Sequence, residues 1–495
     1  MNAYLQTLSY FFRLPWKVQW RTFLVQLPRY VPLSILHITS RKGPHPFLIA
    51  LPSRKNNVIP IYVFVPPAPV DLGQDEHKLV DNGEWKVPVV LDFHGGGFIM
   101  GSPLEQAPYG AMMSRELGAV VISVSYRIGP FHQFPAAIHD AEDVLSAILD
   151  TDEISKAGKI LRTEIQRYFD MVQSDERGGK KKKKHQITRT EGIDTITLDP
   201  TRLAISGFSA GGNIALNMAM SIPPCAQMLP TSPTLSPDPS DPSIDRSINP
   251  ADTFSPLLPP PRAPTKLDDP KEPWHSLLPP PQAQPRMLPL LLFYPSLDAR
   301  LLPHERPMKP LPNALKGDDK KPQKQKMPGL FSIMGPTYLP KKLRGHPRAS
   351  PGLVHPDNIQ KNAAIFLVLP ENDSLAVQSD VWVDQMNTSG WNGPVRFGDG
   401  RENDWNGASG GPSMTQSRSN GGLEVWHAPE CPHGWTQFPE PWLRKHAKKE
   451  RLLVFDRTLE FVKEKWKMEL PVERSGNNNP ELRPLEIPGR FQGLS

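Results

Sequence analysis

Residues 203–216 read Leu-Ala-Ile-Ser-Gly-Phe-Ser-Ala-Gly-Gly-Asn-Ile-Ala-Leu, and the fold is decided by this stretch. Leu203 to Ser206 is a short apolar run of the kind that forms a strand buried on both faces. Ala210 to Met220 reads as a helix. Between them, Gly207-Phe208-Ser209-Ala210-Gly211 has the Gly-x-Ser-x-Gly spacing of a tight strand-to-helix turn, with Gly212 following. Glycines flank the serine because side chains there would strike the returning backbone. Such a turn lifts the Ser209 hydroxyl to the rim of a sheet, where it can act as a nucleophile.

A second glycine cluster lies upstream. Val87 to Phe93 is another buried-strand run, carrying one aspartate, and it leads straight into His94-Gly95-Gly96-Gly97-Phe98. Attack on a carbonyl builds negative charge on its oxygen, and backbone amides must be aimed at that position beforehand. Consecutive glycines let the chain approach closely and present the amides of Gly96 and Gly97, with that of Ala210 completing an oxyanion hole. His94, Gly95, Gly207 and Gly211 support these two turns. A phosphate-binding loop would need a following Lys-Ser/Thr or a Gly-x-Gly-x-x-Gly spacing, and neither occurs.

A nucleophilic serine needs a base, and the base an orienting acid. Both are sought on loops after late strands. The run Ile365 to Leu369 is followed by Glu371, Asn372 and Asp373; Asp373 is the expected acid, with Glu371 in reserve. The last strand, Leu423 to Trp426, is followed by His427 and, in a Pro-His-Gly loop, His433. His427 adjoins the strand end, where burial is expected. His433 can swing back toward Ser209 and is the expected base.

Strands are further expected at Pro46 to Ala50, Val58 to Val65, Ala119 to Val124 and Leu288 to Tyr294. Helices are expected over residues 104–117, at Pro135 to Leu149, and at Glu450 to Lys467. Buried strands alternating with helices imply an α/β class with a mainly parallel central sheet flanked by helices. The expected organisation is an N-terminal cap segment over 1–44, one catalytic domain over 45–470, and a tail over 471–495. Proline is abundant, at 59 residues, and must sit in loops or insertions rather than in central strands. Disordered insertions are accordingly expected at 170–197, 223–286 and 387–420.

The net charge of +6 is concentrated in Lys180 to Lys184, and the rest of the chain is nearly neutral, which argues against nucleic acid as a partner. Two cysteines, Cys225 and Cys431, stand in unlike contexts and make no disulfide framework. Arg13 and Lys17 interrupt the early apolar residues before a signal sequence could form, and no run is long enough to span a membrane. A cytoplasmic protein is expected. Residues 4–35, rich in aromatic residues with scattered cations, could instead make peripheral contact with a membrane surface.

Taken together, these residues resemble the hormone-sensitive-lipase group of the α/β-hydrolase fold, which includes arylacetamide deacetylase and many bacterial esterases. His94 to Phe98 is similar to the group's His-Gly-Gly-Gly-Phe. Tyr126-Arg127-Ile128-Gly129-Pro130, then Phe134-Pro135-Ala136-Ala137 and Asp140, resembles its Tyr-Arg-Leu-Ala-Pro…Phe-Pro-Ala-Ala…Asp block. Gly207 to Gly212 resembles its Gly-Asp-Ser-Ala-Gly-Gly, Asp373-Ser374-Leu375 its Asp-Pro-Leu, and His433-Gly434-Trp435 its His-Gly-Phe. The resemblance implies a helical cap formed by the N-terminal segment and a stretch around 299–350. It also implies hydrolysis of small-molecule esters with short or medium acyl chains, without metal or cofactor. A membrane-associated lipase or deacetylase, or a non-catalytic binder built on the same scaffold, are the alternatives. Phe208 and Phe131 depart from the group by replacing acidic residues near the site, Ser374 replaces a proline, and the long insertions are atypical.

Overall fold

The computed structural model describes residues 9–36, 40, 42–68, 80–81, 83–178, 193–222, 274–280, 286–307, 309, 328–401 and 421–467. Among the described residues ten strands form one sheet: β1 Phe47–Pro52, β2 Val58–Phe64, β3 Val80–Asp81, β4 Glu84–Phe93, β5 Val120–Val124, β6 Thr195–Phe208, β7 Leu288–Phe293, β8 Ala363–Asn372, β9 Val395–Phe397 and β10 Leu423–Pro432. Their spatial order is β1-β2-β5-β4-β6-β7-β8-β10-β9, with β3 attached to β4. The β1–β2 and β2–β5 pairs and the β3–β4 pair are antiparallel, and every other pair is parallel. The crossover between β5 and β4 reverses the strand order, so the chain winds outward from the centre, as an α/β-hydrolase sheet does.

Burial follows from composition. Val120–Val124 and Leu288–Phe293 are buried at every position, as continuous apolar runs require when helices cover both faces of a sheet. Alternate residues divide into two cores. Val89, Leu91, Ile205 and Leu290 face one, while Val90, Val121, Phe208 and Leu291 face the other. Each fully buried leucine or valine contributes about 1.5–3 kcal/mol relative to exposure.

The helices are α1 Trp16–Gln26, α2 Ala107–Leu117, α3 Ala136–Leu149, α4 Lys156–Gly178, α5 Ala210–Met218, α6 Leu330–Tyr338, α7 Ala376–Thr388 and α8 Lys445–Trp466. In α3 the stripe Ala137, Ile138, Ala141, Val144, Leu145 and Ile148 faces inward. Helix α5, which follows the serine turn, is buried at all its positions, so it serves as a rigid post. The helix expected over 104–117 begins at Ala107, because Pro103–Gln106 forms a 3₁₀ turn capped by the Ser102 hydroxyl.

The expected insertions are narrower than composition suggested. Within 170–197, α4 runs on to Gly178, and Thr195 to Asp199 pair with β4. Leu161, Ile165 and Phe169 are buried in α4 at helical spacing, and that packing outweighs the many charges around them. Within 223–286, Trp274 bridges Ile222 and its indole ring carries the Arg348 guanidinium. Within 387–420, Val395–Phe397 adds β9 alongside β10, with Trp391 fully buried beside it. Residues 179–192, 223–273, 402–420 and the tail 471–495 lie outside the described residues, as do the lysine run and Cys225. Among the described residues no helix is long and apolar enough to cross a membrane.

The register sets the site. Phe93 of β4 lies level with Val124 and Gly207, and Phe208 of β6 lies level with Phe293. At the other side, Pro432 of β10 pairs with Asn372 of β8. The glycine loop, Ser209, Asp373 and His433 therefore all leave the same carboxyl edge of the sheet, where α/β folds place their sites.

Candidate active site

Ser209 sits between β6 and α5 with φ 55° and ψ −111°, a conformation that costs a non-glycine residue about 1–3 kcal/mol. The surroundings hold it there. Its amide donates to the Phe293 carbonyl (2.9 Å), and its own carbonyl accepts from Asn213 (3.2 Å) and Ser296 (3.1 Å). A methyl group at Gly207 would come within 2.1 Å of the Gly211 carbonyl oxygen. One at Gly211 would come within 2.1 Å of the Phe93 oxygen and 2.5 Å of the His94 oxygen. The two flanking glycines are thus required by close backbone approach.

The Ser209 hydroxyl lies 2.8 Å from Nε2 of His433, and Nδ1 of the same ring lies 2.7 Å from Oδ2 of Asp373. With the carboxylate accepting from Nδ1–H, Nε2 is left as the acceptor facing the hydroxyl. Asp373 is buried, and its other oxygen accepts the Leu375 amide at 2.9 Å. The ring of Tyr294 packs edge-on against the His433 imidazole, with centroids 5.0 Å apart, and the Tyr294 hydroxyl is bonded to Thr436. The base is held by contacts on two sides.

The reserve candidates lie elsewhere. Glu371 is engaged by Arg401, whose guanidinium donates to it at 2.6 Å. His427 is part of β10, level with Phe397, and stacks on that ring at 4.8 Å.

The glycine loop leaves β4 at His94. Gly96 and Gly97 have φ of 112° and 60°, which L side chains rarely adopt, and a methyl at Gly96 would fall 2.0 Å from the Met100 oxygen. The Gly96 carbonyl accepts from Ile99 and Met100, both at 3.1 Å, and so points into its own turn. The Phe331 ring of α6 lies against Gly97. Ala210, fully buried, is the first residue of α5, where amides have no helical partner.

His94 is buried and stacks on Tyr126 with centroids 4.2 Å apart. Burial, with the nearby Arg29 cation, pushes its pKa down to about 3, so the ring is neutral and Nδ1 donates to the Gly95 carbonyl at 2.6 Å. The Tyr126 hydroxyl donates to the His94 carbonyl at 2.6 Å. Arg29, from the N-terminal segment, donates to the carbonyls of Tyr126 (2.6 Å) and Gly101 (3.2 Å). Arg127 is tied to the buried Asp140 at 2.7 Å, and its backbone amide donates to the same carboxylate. Tyr338 of α6 stacks on Phe98 at 4.6 Å.

The supports around the loop went unread in the sequence. Tyr126 and Asp140 stand in the quoted motif block without an evident role. Arg29 carries no local signal at all, since its partners lie 72 and 97 residues away. Phe208, where the group has an acidic residue, stacks flat on Phe293 at 4.3 Å and belongs to the core. Among the described residues no cluster of histidine, cysteine or carboxylate side chains is arranged to hold a metal ion.

Residues 90–255 match a family model described as alpha/beta hydrolase fold. Probable carboxylesterase 11 of Arabidopsis thaliana is 31% identical over 142 residues, which is 26% of this chain and 28% of that protein. Carboxylesterase NlhH of Mycobacterium tuberculosis is 28% identical over 196 residues, 39% of this chain and 44% of that protein. The chain thus spans less than half the length of the curated relatives it matches. Among solved structures, esterase LipW from Mycobacterium marinum covers 90% of both chains at 17% identity, with a TM-score of 0.46. With the wound sheet, the serine turn and the glycine loop in place, the chain has the α/β-hydrolase fold, and its motifs resemble those of the hormone-sensitive-lipase group.

Proposed function

We propose that the protein is a serine hydrolase of carboxylic esters with small or medium acyl groups, acting through Ser209, His433 and Asp373. The observation that carries this reading is the unbroken relay from hydroxyl to imidazole to buried carboxylate, with spans of 2.8 and 2.7 Å. As Ser209 Oγ attacks the ester carbonyl, His433 Nε2 takes its proton. The amides of Gly96, Gly97 and Ala210 receive the negative charge on the carbonyl oxygen. The tetrahedral adduct collapses, the C–O bond to the alcohol breaks, and His433 returns the proton to the departing oxygen. Water, deprotonated by the same imidazole, then attacks the acyl-enzyme and frees the acid and Ser209. Asp373 keeps the imidazole in its Nδ1–H tautomer and stabilises its cation.

A fluorophosphonate probe should label the native chain at Ser209 and leave Ser209→Ala unlabelled. Hydrolysis of nitrophenyl esters should fall at least about 10⁴-fold in that variant. A folded variant that keeps its turnover defeats the assignment, and a native chain that binds esters without labelling or hydrolysis favours a non-catalytic scaffold. The same esters in order of chain length measure the acyl range.

A further inference from the structure

Helix α1 is apolar on both sides. Val18, Thr22 and Val25 are buried against the body of the protein, at 8, 1 and 1% exposure, and the helix packs on α6. A surface helix of this kind normally turns polar residues outward. Here the outward residues are Trp16, Trp20, Phe23 and Leu24 with Lys17 among them, continued by Phe12 before the helix and Tyr30 after it. Phe12, Trp16, Phe23 and Tyr30 are 70, 74, 67 and 80% exposed. Single exposed apolar residues are ordinary, but a contiguous aromatic face signals a contact surface.

Charge indicates what covers it. No aspartate or glutamate occurs in the chain before Asp71, whereas Arg13, Lys17 and Arg21 are interleaved with the aromatic residues. Arg21 lies over the Trp20 ring at 4.2 Å, and its guanidinium donates to the Lys17 carbonyl. Tryptophan and tyrosine with cations, and no acidic residue, suit the boundary between lipid headgroups and acyl chains.

We propose that the aromatic and basic face of residues 9–36 docks the protein on an anionic lipid bilayer. The docked face borders the site. Arg29 ties the segment to the carbonyls of Tyr126 and Gly101 beside the glycine loop, and α6, on which α1 rests, places Phe331 against Gly97. Docking thus brings the mouth of the site to the lipid surface, a step beyond the proposed hydrolysis.

Flotation of the full chain with vesicles tests this. The native protein should float with phosphatidylcholine vesicles containing about one-third phosphatidylserine, and far less with phosphatidylcholine alone. The combined variant Phe12→Ser, Trp16→Ser and Phe23→Ser, shown folded by an unchanged melting temperature, should partition at least about tenfold more weakly. Lys17→Glu with Arg21→Glu should abolish the preference for anionic vesicles. Ser209→Ala should float like the native chain, so failure of the hydrolase reading leaves this test intact. The proposal is overturned if the native chain stays unbound, or if the aromatic variant floats equally well, which would assign binding to Lys180 to Lys184. It is also overturned if the aromatic residues instead drive dimerisation in solution without lipid binding.

Discussion

The serine turn and the histidine loop meet at one hydrogen bond, yet they are held in place by opposite means. The turn is fixed by backbone packing: Ser209 is 8% exposed, and its flanking glycines leave no space for a methyl group. The histidine loop is fixed by side chains, and the His433 side chain remains 38% exposed. Gly434, beside it, has φ 76°, but a methyl there would meet nothing closer than the Phe438 ring at 3.7 Å. The serine is enclosed by backbone, whereas the imidazole is held by side chains and stays partly open to solvent. The lesson is that steric substitutions should break one side of the site and polar substitutions the other.

The largest expected effect is polar. Asp373→Asn leaves the shape of the histidine loop unchanged but presents an amide to Nδ1, favouring the wrong tautomer. The kcat for nitrophenyl esters should drop about 10⁴-fold. Glu371→Gln, two residues away, removes one of the carboxylates that pair with Arg401, Asp399 being another, and should leave kcat nearly native while costing about 1.5 kcal/mol of stability. Stopped-flow kinetics with urea unfolding of both variants separates the two carboxylates, and a large kcat loss in Glu371→Gln would reverse their assignment.

A smaller, steric pair sharpens the contrast. Gly211→Ala drives a methyl into the Phe93 and His94 carbonyls, so β4 and the glycine loop must move, at a cost of about 3 kcal/mol. Gly434→Ala pays only for its left-handed backbone, about 1 kcal/mol. Urea midpoints measure both, and equal losses would erase the distinction between the two sides.

The same contrast explains what could be read from the sequence. The serine turn and glycine loop were legible because each needs particular residue types at adjacent positions. Asp373 and His433 were legible as loop residues after late strands, although their meeting depends on the Asn372–Pro432 register, which no local pattern encodes. Helix α4 was not expected from the sequence, because its inward stripe of Leu161, Ile165 and Phe169 is thin among charges. Strand β9 is three residues long and is stabilised by its neighbours rather than its composition. Arg29 and Phe208 owe their positions to partners far away in the chain, and only packing reveals them.

The smallest expected effect concerns a charge buried behind the turn. Asp92 of β4 is fully buried and accepts from the Ser123 hydroxyl at 3.0 Å, near Ser206, which is bonded to Tyr109. Burial pushes its pKa from 3.8 up to about 7, against the pull of the Ser123 and Ser206 hydroxyls. A carboxyl raised in the folded state contributes stability that is complete below its unfolded value and is lost as pH rises through the folded one. Buried His94 acts in the opposite sense. Its pKa is lowered to about 3, so its contribution is lost as pH falls below that of an unfolded histidine. The native pH profile therefore mixes both signs, and the difference between native and Asp92→Asn isolates the carboxyl. Between pH 5 and 8 the asparagine variant should gain at least about 1 kcal/mol on the native protein in urea unfolding. A constant difference across that range would mean that Asp92 holds the same charge throughout, and that the core around Ser123 and Ser206 tolerates a buried anion.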